Sequence, residues 1–244
     1  MEGKVRKKRI RIVVPVSTDE WNAPARKLLE GYKDANTQID IVNIKDGPKA
    51  IECCYDEVFA ATFLVREAER AEQEGYHGVI DYCFDDPGLR AAKERLKIPI
   101  VGLCEASVHF ATLLGTAFSI ISAGPPDCAF TDIKDLLRLY GFADECASVR
   151  SVALPIRQLE RGKQIQSDRL LSEATKAIEE DGADTIVLGC GSMLVPTEEI
   201  QTLGAPVVVP GIAALKLCED LIDMQLTQSK RAFCIPRRQS GEQA

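Results

Sequence analysis

The sequence predicts an α/β fold of two doubly wound domains, each built on a four-stranded parallel sheet. A pseudo-two-fold axis would relate them, with an active site in the cleft between. Three observations carry this expectation. Short Val/Ile-rich runs alternate eight times with helical segments along the 244 residues, the order of parallel strands joined by right-handed crossovers. The runs are near-continuously apolar, as in strands covered by helices on both faces. Finally, one block of the chain recurs further on at a constant offset, the mark of an internal repeat.

The elements follow in order. IRIVVPV (10–16), QIDIVNI (38–44), GVIDYC (78–83) and IPIVGLC (98–104) read as buried strands. APARKLLEGYKDA, DEVFAATFLVREAERAEQEG and PGLRAAKERL between them read as helices, the second ending at Gly75. TAFSIIS (116–122), ECASVRSVALP (145–155), DTIVLGC (184–190) and APVVVPG (205–211) form the second strand series. Its helices are KDLLRLY, SDRLLSEATKAIEEDG and IAALKLCEDLIDMQL. The basic N-terminus, MEGKVRKKR, reads as a solvated tail. The polar C-terminal stretch 227–244 is expected to fray.

The repeat fixes the architecture. Gly75, Cys83 and Pro99 recur as Gly182, Cys190 and Pro206, each 107 positions on. The same offset carries Val79-Ile80 onto Ile186-Val187 and Val13-Val14 onto Ile120-Ile121. Two halves of this size fit facing domains better than a closed barrel, with a ligand crevice at the carboxyl ends of the strands. The expected division is residues 1–104 plus 212–244 for one domain and 105–211 for the other.

Composition narrows the function. A net charge of −7 argues against a nucleic-acid partner, and no apolar run reaches the roughly 18–20 residues of a membrane span. No secretory signal is read at the N-terminus, so nine cysteines imply free thiols in a reducing cytoplasm. There is no CxxC, and His77 and His109 lie far apart, so no metal site is expected.

Seven cysteines read as structural. Cys218, Cys146 and Cys104 belong to a helix, a strand edge and a strand end; Cys53 and Cys54 start a helix; Cys128 and Cys234 lie in loops. Cys83 and Cys190 differ, because each ends a strand and heads a loop, FDDPG or GSMLVP. A helix N-terminus there would lower the thiol pKa. Two thiols facing one another suit stereoinversion at an acidic carbon, one removing a proton while the other delivers one to the opposite face. No cofactor is needed if a carbonyl and fixed N–H donors stabilise the carbanion.

Cys83-Phe84-Asp85-Asp86-Pro87-Gly88-Leu89, Glu105-Ala106-Ser107-Val108-His109 and Leu188-Gly189-Cys190-Gly191-Ser192-Met193 resemble the aspartate/glutamate/hydantoin racemase superfamily, closest to its hydantoin and allantoin branch. Gly47-Pro48-Lys49-Ala50-Ile51-Glu52, leading into Asp56-Glu57, is similar to that branch's loop after the second strand. The resemblance implies cofactor-independent racemisation of a small cyclic amide or amino-acid derivative, with Cys83 and Cys190 as the acid/base pair. It implies substrate contacts from Pro15, Ser17, Ile51, Phe84, Gly191 and Ser192, and a homo-oligomer.

Two positions depart from the branch. Val16 stands where it has the second Asn of Asn-Pro-Asn-Thr, although Ser17 and Thr18 remain. Val209 stands where it often has Asp. Both bear on the substrate more than on the chemistry. Glu105 and His109, four residues apart on one helix face, read as a structural pair or as support for the site. Asp85 and Asp86 read as turn residues, and Trp21 as lining the pocket or capping the core. Two other readings stand beside racemisation: maleate isomerase or arylmalonate decarboxylase chemistry on the same fold, and a non-catalytic small-molecule binding protein.

Overall fold

In the computed structural model of the chain, which describes residues 7–124, 126–154, 163–194 and 197–234, strand and helix alternate throughout. The first half holds β1 (Lys8–Val14), α1 (Asn22–Glu30), β2 (Thr37–Asn43), α2 (Cys54–Gln73), β3 (Gly78–Asp81), α3 (Leu89–Arg95) and β4 (Ile100–Gly102). It passes through α4 (Leu103–Leu114) to β5 (Phe118–Ser122), α5 (Pro126–Tyr140), β6 (Cys146–Ser151) and α6 (Lys163–Glu179). Then follow β7 (Thr185–Leu188), α7 (Glu198–Gln201), β8 (Val207–Val208) and α8 (Pro210–Asp223). The strands form two parallel four-stranded sheets of the same order, β2-β1-β3-β4 and β6-β5-β7-β8.

The strand register refines the repeat. Val79 pairs with Ile100 and Ile186 with Val207, so β3 and β4 map onto β7 and β8 at 107 positions. Ile10 pairs with Gly78, whereas Phe118 pairs with Thr185. From Ile10 to Phe118 is 108 positions, so the counterpart of Val13-Val14 is Ile121-Ser122. Ile10 to Gly78 spans 68 positions and Phe118 to Thr185 spans 67, so the second half is one residue shorter between β5 and β7 than the first is between β1 and β3. Because side chains alternate across a strand, this slip decides which β5 residues face which core.

Cys104 corrects a sequence expectation. The apolar run IPIVGLC does not end as a strand: Gly102 closes β4 and Leu103 begins α4 in the next step. A buried strand and a buried helix turn have the same apolar signature, and periodicity cannot separate them over so few residues. Cys128 likewise falls within α5 rather than in a loop. The N-terminal tail, apart from residue 7 onward, and residues 235–244 lie outside the described residues.

Two apolar clusters hold the sheets. The larger runs from both faces of the first sheet through α4 to Ile120, Val187 and Val208 of the second. The smaller packs Ile121, Ile186 and Leu188 against Leu170, Ala174 and Ala177 of α6. Helix α8 follows the last strand but covers the first sheet. A Cβ on Gly78 of β3 would meet Cys218 Sγ at 2.6 Å and Ile222 Cδ1 at 3.0 Å. At the far end of α8, the fully buried Lys8 bonds Asp34 (2.7 Å) and Asp223 (2.5 Å), while Lys216 joins Asp34 to Glu219. A buried lysine is tolerated only with such partners.

The stretch 227–234 does not fray as expected. The Gln228 amide donates to the Ile100 carbonyl (2.9 Å) and accepts the Ile100 N–H (3.2 Å), and Lys230 Nζ reaches the Lys93 carbonyl at 2.5 Å. Strand β4 is an edge with unpaired backbone groups. A primary amide satisfies them as a neighbouring strand would, which a periodicity argument does not register.

Candidate active site

The sheet order dictates where a site can form. In β2-β1-β3-β4 the chain leaves β1 in one direction and β3 in the other. The loops after these strands therefore part and leave a crevice at their carboxyl ends. Pro15 and Val16 follow β1; Cys83 and Phe84 follow β3. In the second sheet Ala123 and Gly124 follow β5, and Cys190 and Gly191 follow β7. All eight line one cavity of about 120 Å³. Each cysteine stands two residues beyond its strand, after Asp81 and Leu188.

The structure brings Cys83, Cys190, Pro15, Ile51, Phe84, Gly191 and Ser192 together in this lining. Trp21 both lines the cavity and is buried against the core, and Val16 lines it while Val209 does not. Ser17 is not in the lining. Its N–H donates to the Pro48 carbonyl (2.9 Å), and its hydroxyl is 3.2 Å from the carbonyls of Gly47 and Pro48. It thereby holds the loop that carries Ile51.

Glu105 and His109 also lie outside the lining. Glu105 pairs with the buried Lys93. His109 Nδ1 meets the Glu105 backbone carbonyl at 2.7 Å, and its ring stands edge-on to Phe142 at 4.8 Å. The two serve α4 and its packing.

Asp86 is more than a turn residue. Gly102 precedes α4 and has no side chain to cap it; the Asp86 carboxylate does so instead, accepting the N–H groups of Cys104 (3.1 Å) and Glu105 (2.9 Å) and the Tyr140 hydroxyl (2.7 Å). A Cβ on Gly102 would lie 2.4 Å from Asp86 Cγ, so the glycine makes room for the cap.

The two thiols sit in unlike fields. Burial pushes Cys83 far above the ordinary thiol range, and Asp85 and Asp81 add to it; its Sγ is 3.7 Å from Asp85 Oδ2. Burial also raises Cys190, but the Ser192 hydroxyl at 2.9 Å and the N–H groups of Ser192 and Met193 oppose it. Neither follows the expected lowering. Helix α3 begins at Leu89 and α7 at Glu198, too far along for either thiol to feel a first turn, since that field fades within one turn.

Carboxylates form one wall. Burial, with Asp85 and Asp132 facing it, pushes Glu57 up to about 7. Burial, with Asp132, pushes Asp85 up to about 6 against the lowering by Cys83. Glu52, Glu57, Asp85 and Asp132 all line the cavity, and among the described residues no Lys, Arg or His does. Nor do the described residues hold a group of three or more His, Cys, Asp or Glu able to bind a metal ion.

Sequence reasoning missed Tyr82, Ser122, Gly124 and Asp132, and read Asp85 only as a turn. A usable signal existed for part of this. At an offset of 108, Pro15 and Val16 map to Ala123 and Gly124, so the repeat itself nominates the loop after β5. Asp132 lies on α5, which enters the cavity only through the packing of the two halves, and no spacing in the chain announces it.

Residues 10–218 match the family model described as Asp/Glu/Hydantoin racemase. The chain is 35% identical to a hydantoin racemase of Rhizobium meliloti over 230 residues, 93% of this chain and 95% of that one. It is 30% identical to a hydantoin racemase of Pseudomonas sp. (strain NS671), covering 91% of this chain and 89% of that one. Among solved structures, an allantoin racemase from Klebsiella pneumoniae superimposes with a TM-score of 0.88 at 31% identity, over 94% of each chain. No helix among the described residues is long and apolar enough to cross a membrane.

Proposed function

Because the chain belongs to the Asp/Glu/hydantoin racemase family, we propose that it racemises a hydantoin, allantoin or related cyclic amide by a two-thiol mechanism. The observation that carries this reading is the placing of Cys83 and Cys190 in one cavity, at matching positions after corresponding strands.

In one direction the Cys190 thiolate removes the proton from the ring stereocentre and becomes a thiol. The electron pair passes into the adjacent ring carbonyl as an enolate, held by N–H donors of the Gly191–Met193 loop. The Cys83 thiol then protonates the same carbon from the opposite face and is left as thiolate. In the reverse direction the roles exchange. Burial raises both thiols, but the donors around Cys190 make it the easier of the two to ionise, and the carboxylates around Cys83 favour it as the resting acid.

The carboxylate wall supports a substrate without a carboxylate of its own, since like charges in a confined site repel strongly. Maleate and arylmalonates are dianions and meet the same repulsion; their chemistry also leaves one of the two thiols idle. A non-catalytic binding role gives no reason for the matched thiols. We read residues 1–104 with 212–244 as one domain and 105–211 as the other, the α8 packing on β3 supporting the return of the chain. We further read the protein as a cytoplasmic homo-oligomer, on its free thiols and on exposed Tyr55, Val58 and Phe59 along α2.

Single-enantiomer 5-substituted hydantoins and allantoin in deuterated buffer provide the test. Loss of optical rotation with uptake of one deuterium at the stereocentre is expected. Cys83→Ser and Cys190→Ser should each abolish inversion while leaving exchange of one enantiomer. No rotation change and no exchange with any of these substrates would refute the reading.

A further inference from the structure

Tyr82 is the residue between β3 and Cys83. Its side chain is 5% exposed, and its ring lies against the backbone of two glycines from elsewhere in the chain. A Cβ on Gly191 would sit 3.1 Å from Tyr82 Cε1 and 2.9 Å from Leu103 Cδ1. A Cβ on Gly211, in the first turn of α8, would sit 2.7 Å from the Tyr82 hydroxyl oxygen and 3.0 Å from Cε2. Neither glycine has a left-handed backbone, so no turn demands glycine at these places. The ring does.

Gly191 directly follows Cys190. The side chain next to one thiol therefore presses on the backbone next to the other. The hydroxyl is buried and has no hydrogen-bond partner among the described residues, which leaves the volume of the ring as what it contributes.

We propose that Tyr82 is a positioning residue whose ring sets the place of Cys190 relative to Cys83 and so to both faces of the substrate carbon. The proposal rests on the two-thiol reading above. Two-base inversion needs each sulfur within reach of its own face, and a displacement of about 1 Å costs on the order of a hundredfold in rate. Proton exchange at a single face needs only one sulfur in place.

The experiment follows deuterium exchange and inversion separately for each enantiomer of a 5-substituted hydantoin. Tyr82→Leu should lower inversion on the order of a hundredfold and abolish exchange of the enantiomer that Cys190 deprotonates. Exchange with retention at the Cys83 face should persist, although Tyr82 is the neighbour of Cys83. Tyr82→Phe, which keeps the ring, should behave as wild type. Gly191→Ala crowds the same contact from the other side and should give the same one-sided loss, so it carries the test if Tyr82→Leu does not fold. Equal loss at both faces, or unchanged inversion in Tyr82→Leu or Gly191→Ala, would overturn the proposal.

A wild-type protein with no inversion at all would overturn the functional reading instead. In that case the iodoacetamide alkylation rate of Cys190 carries the test: a rise in Tyr82→Leu supports a positioning contact, and an unchanged rate refutes it.

Discussion

Ser192 Oγ lies 2.9 Å from Cys190 Sγ, whereas the polar neighbour of Cys83 Sγ is a carboxylate, Asp85 Oδ2, at 3.7 Å. Two residues placed alike by the repeat are thus treated oppositely by their surroundings. A hydroxyl that can donate stabilises a thiolate; a carboxylate nearby disfavours one. Cys190 should therefore be alkylated by iodoacetamide faster than Cys83 at pH 8, and Ser192→Ala should narrow the gap. Peptide-resolved mass spectrometry reads both sites apart from the exposed Cys53, Cys54 and Cys234. Faster labelling of Cys83 would sink the assignment of resting states.

Burial raises both thiols above their ordinary range, and the proposed reaction begins from a thiolate. The thiolate fraction grows with pH, so kcat/KM for inversion should climb through and beyond about pH 8.5, the ordinary thiol value. Ser192→Ala removes a lowering contact and should shift the rising limb to higher pH. A profile flat between pH 7 and 10 would contradict a thiolate base.

How much of this was legible beforehand depends on the residue. All eight strands could be read, because parallel strands buried on both faces are apolar runs bounded by helix and turn signals. Cys83 and Cys190 could be singled out, because a repeat preserves spacing within each half. The field around each thiol could not. It arises from Asp81, Asp85 and Ser192, near in sequence but turned towards the sulfur only by the loop geometry, and from burial, which no spacing reports. The same holds for Ser17: the family resemblance implied a substrate contact there, yet its hydroxyl turns to the Gly47–Pro48 backbone. Tyr82 was hidden for another reason. An aromatic residue at a strand end is usually core, and only the glycines that face it show the contact.

The carboxylate wall predicts charge selectivity. Among hydantoins of similar size, a substituent bearing an amine or ureido group should be turned over with higher kcat/KM than the alkyl analogue. A carboxyalkyl substituent should be the poorest. Glu57→Gln and Asp132→Asn together should shrink the spread, because the attraction and the repulsion come from the same two side chains. Measuring the three substrates on wild type and double variant is sufficient; a carboxyalkyl hydantoin that outperforms the alkyl one would reject the idea.

The same wall should set how stability depends on pH. The Glu57 carboxyl has a pKa of about 7 in the folded chain against an ordinary 4.5, and Asp85 about 6 against 3.8. Between the ordinary and the raised values the folded state keeps protons that the unfolded state releases, so stability falls as pH rises through this window. The stabilising form is the neutral acid, fully present below about pH 4 and lost as pH passes 7. In Glu57→Gln a neutral amide replaces the group at every pH, so the variant should be more stable than wild type at pH 8 and nearly equal to it at pH 5. Glu57 is only partly buried and solvent screens it, so the gain is on the order of 1 kcal/mol rather than the full value of its shift. For a chain of this size that corresponds to about 2–4 °C in Tm, measurable by thermal denaturation at the two pH values. A Glu57→Gln variant less stable than wild type at pH 8 would show that the ionised carboxylate is compensated in the folded protein, and the charge selectivity argued above would fall with it. A side chain that lowers stability in this way is kept for what it does to a ligand, since neutral replacements are readily accessible and would otherwise be favoured.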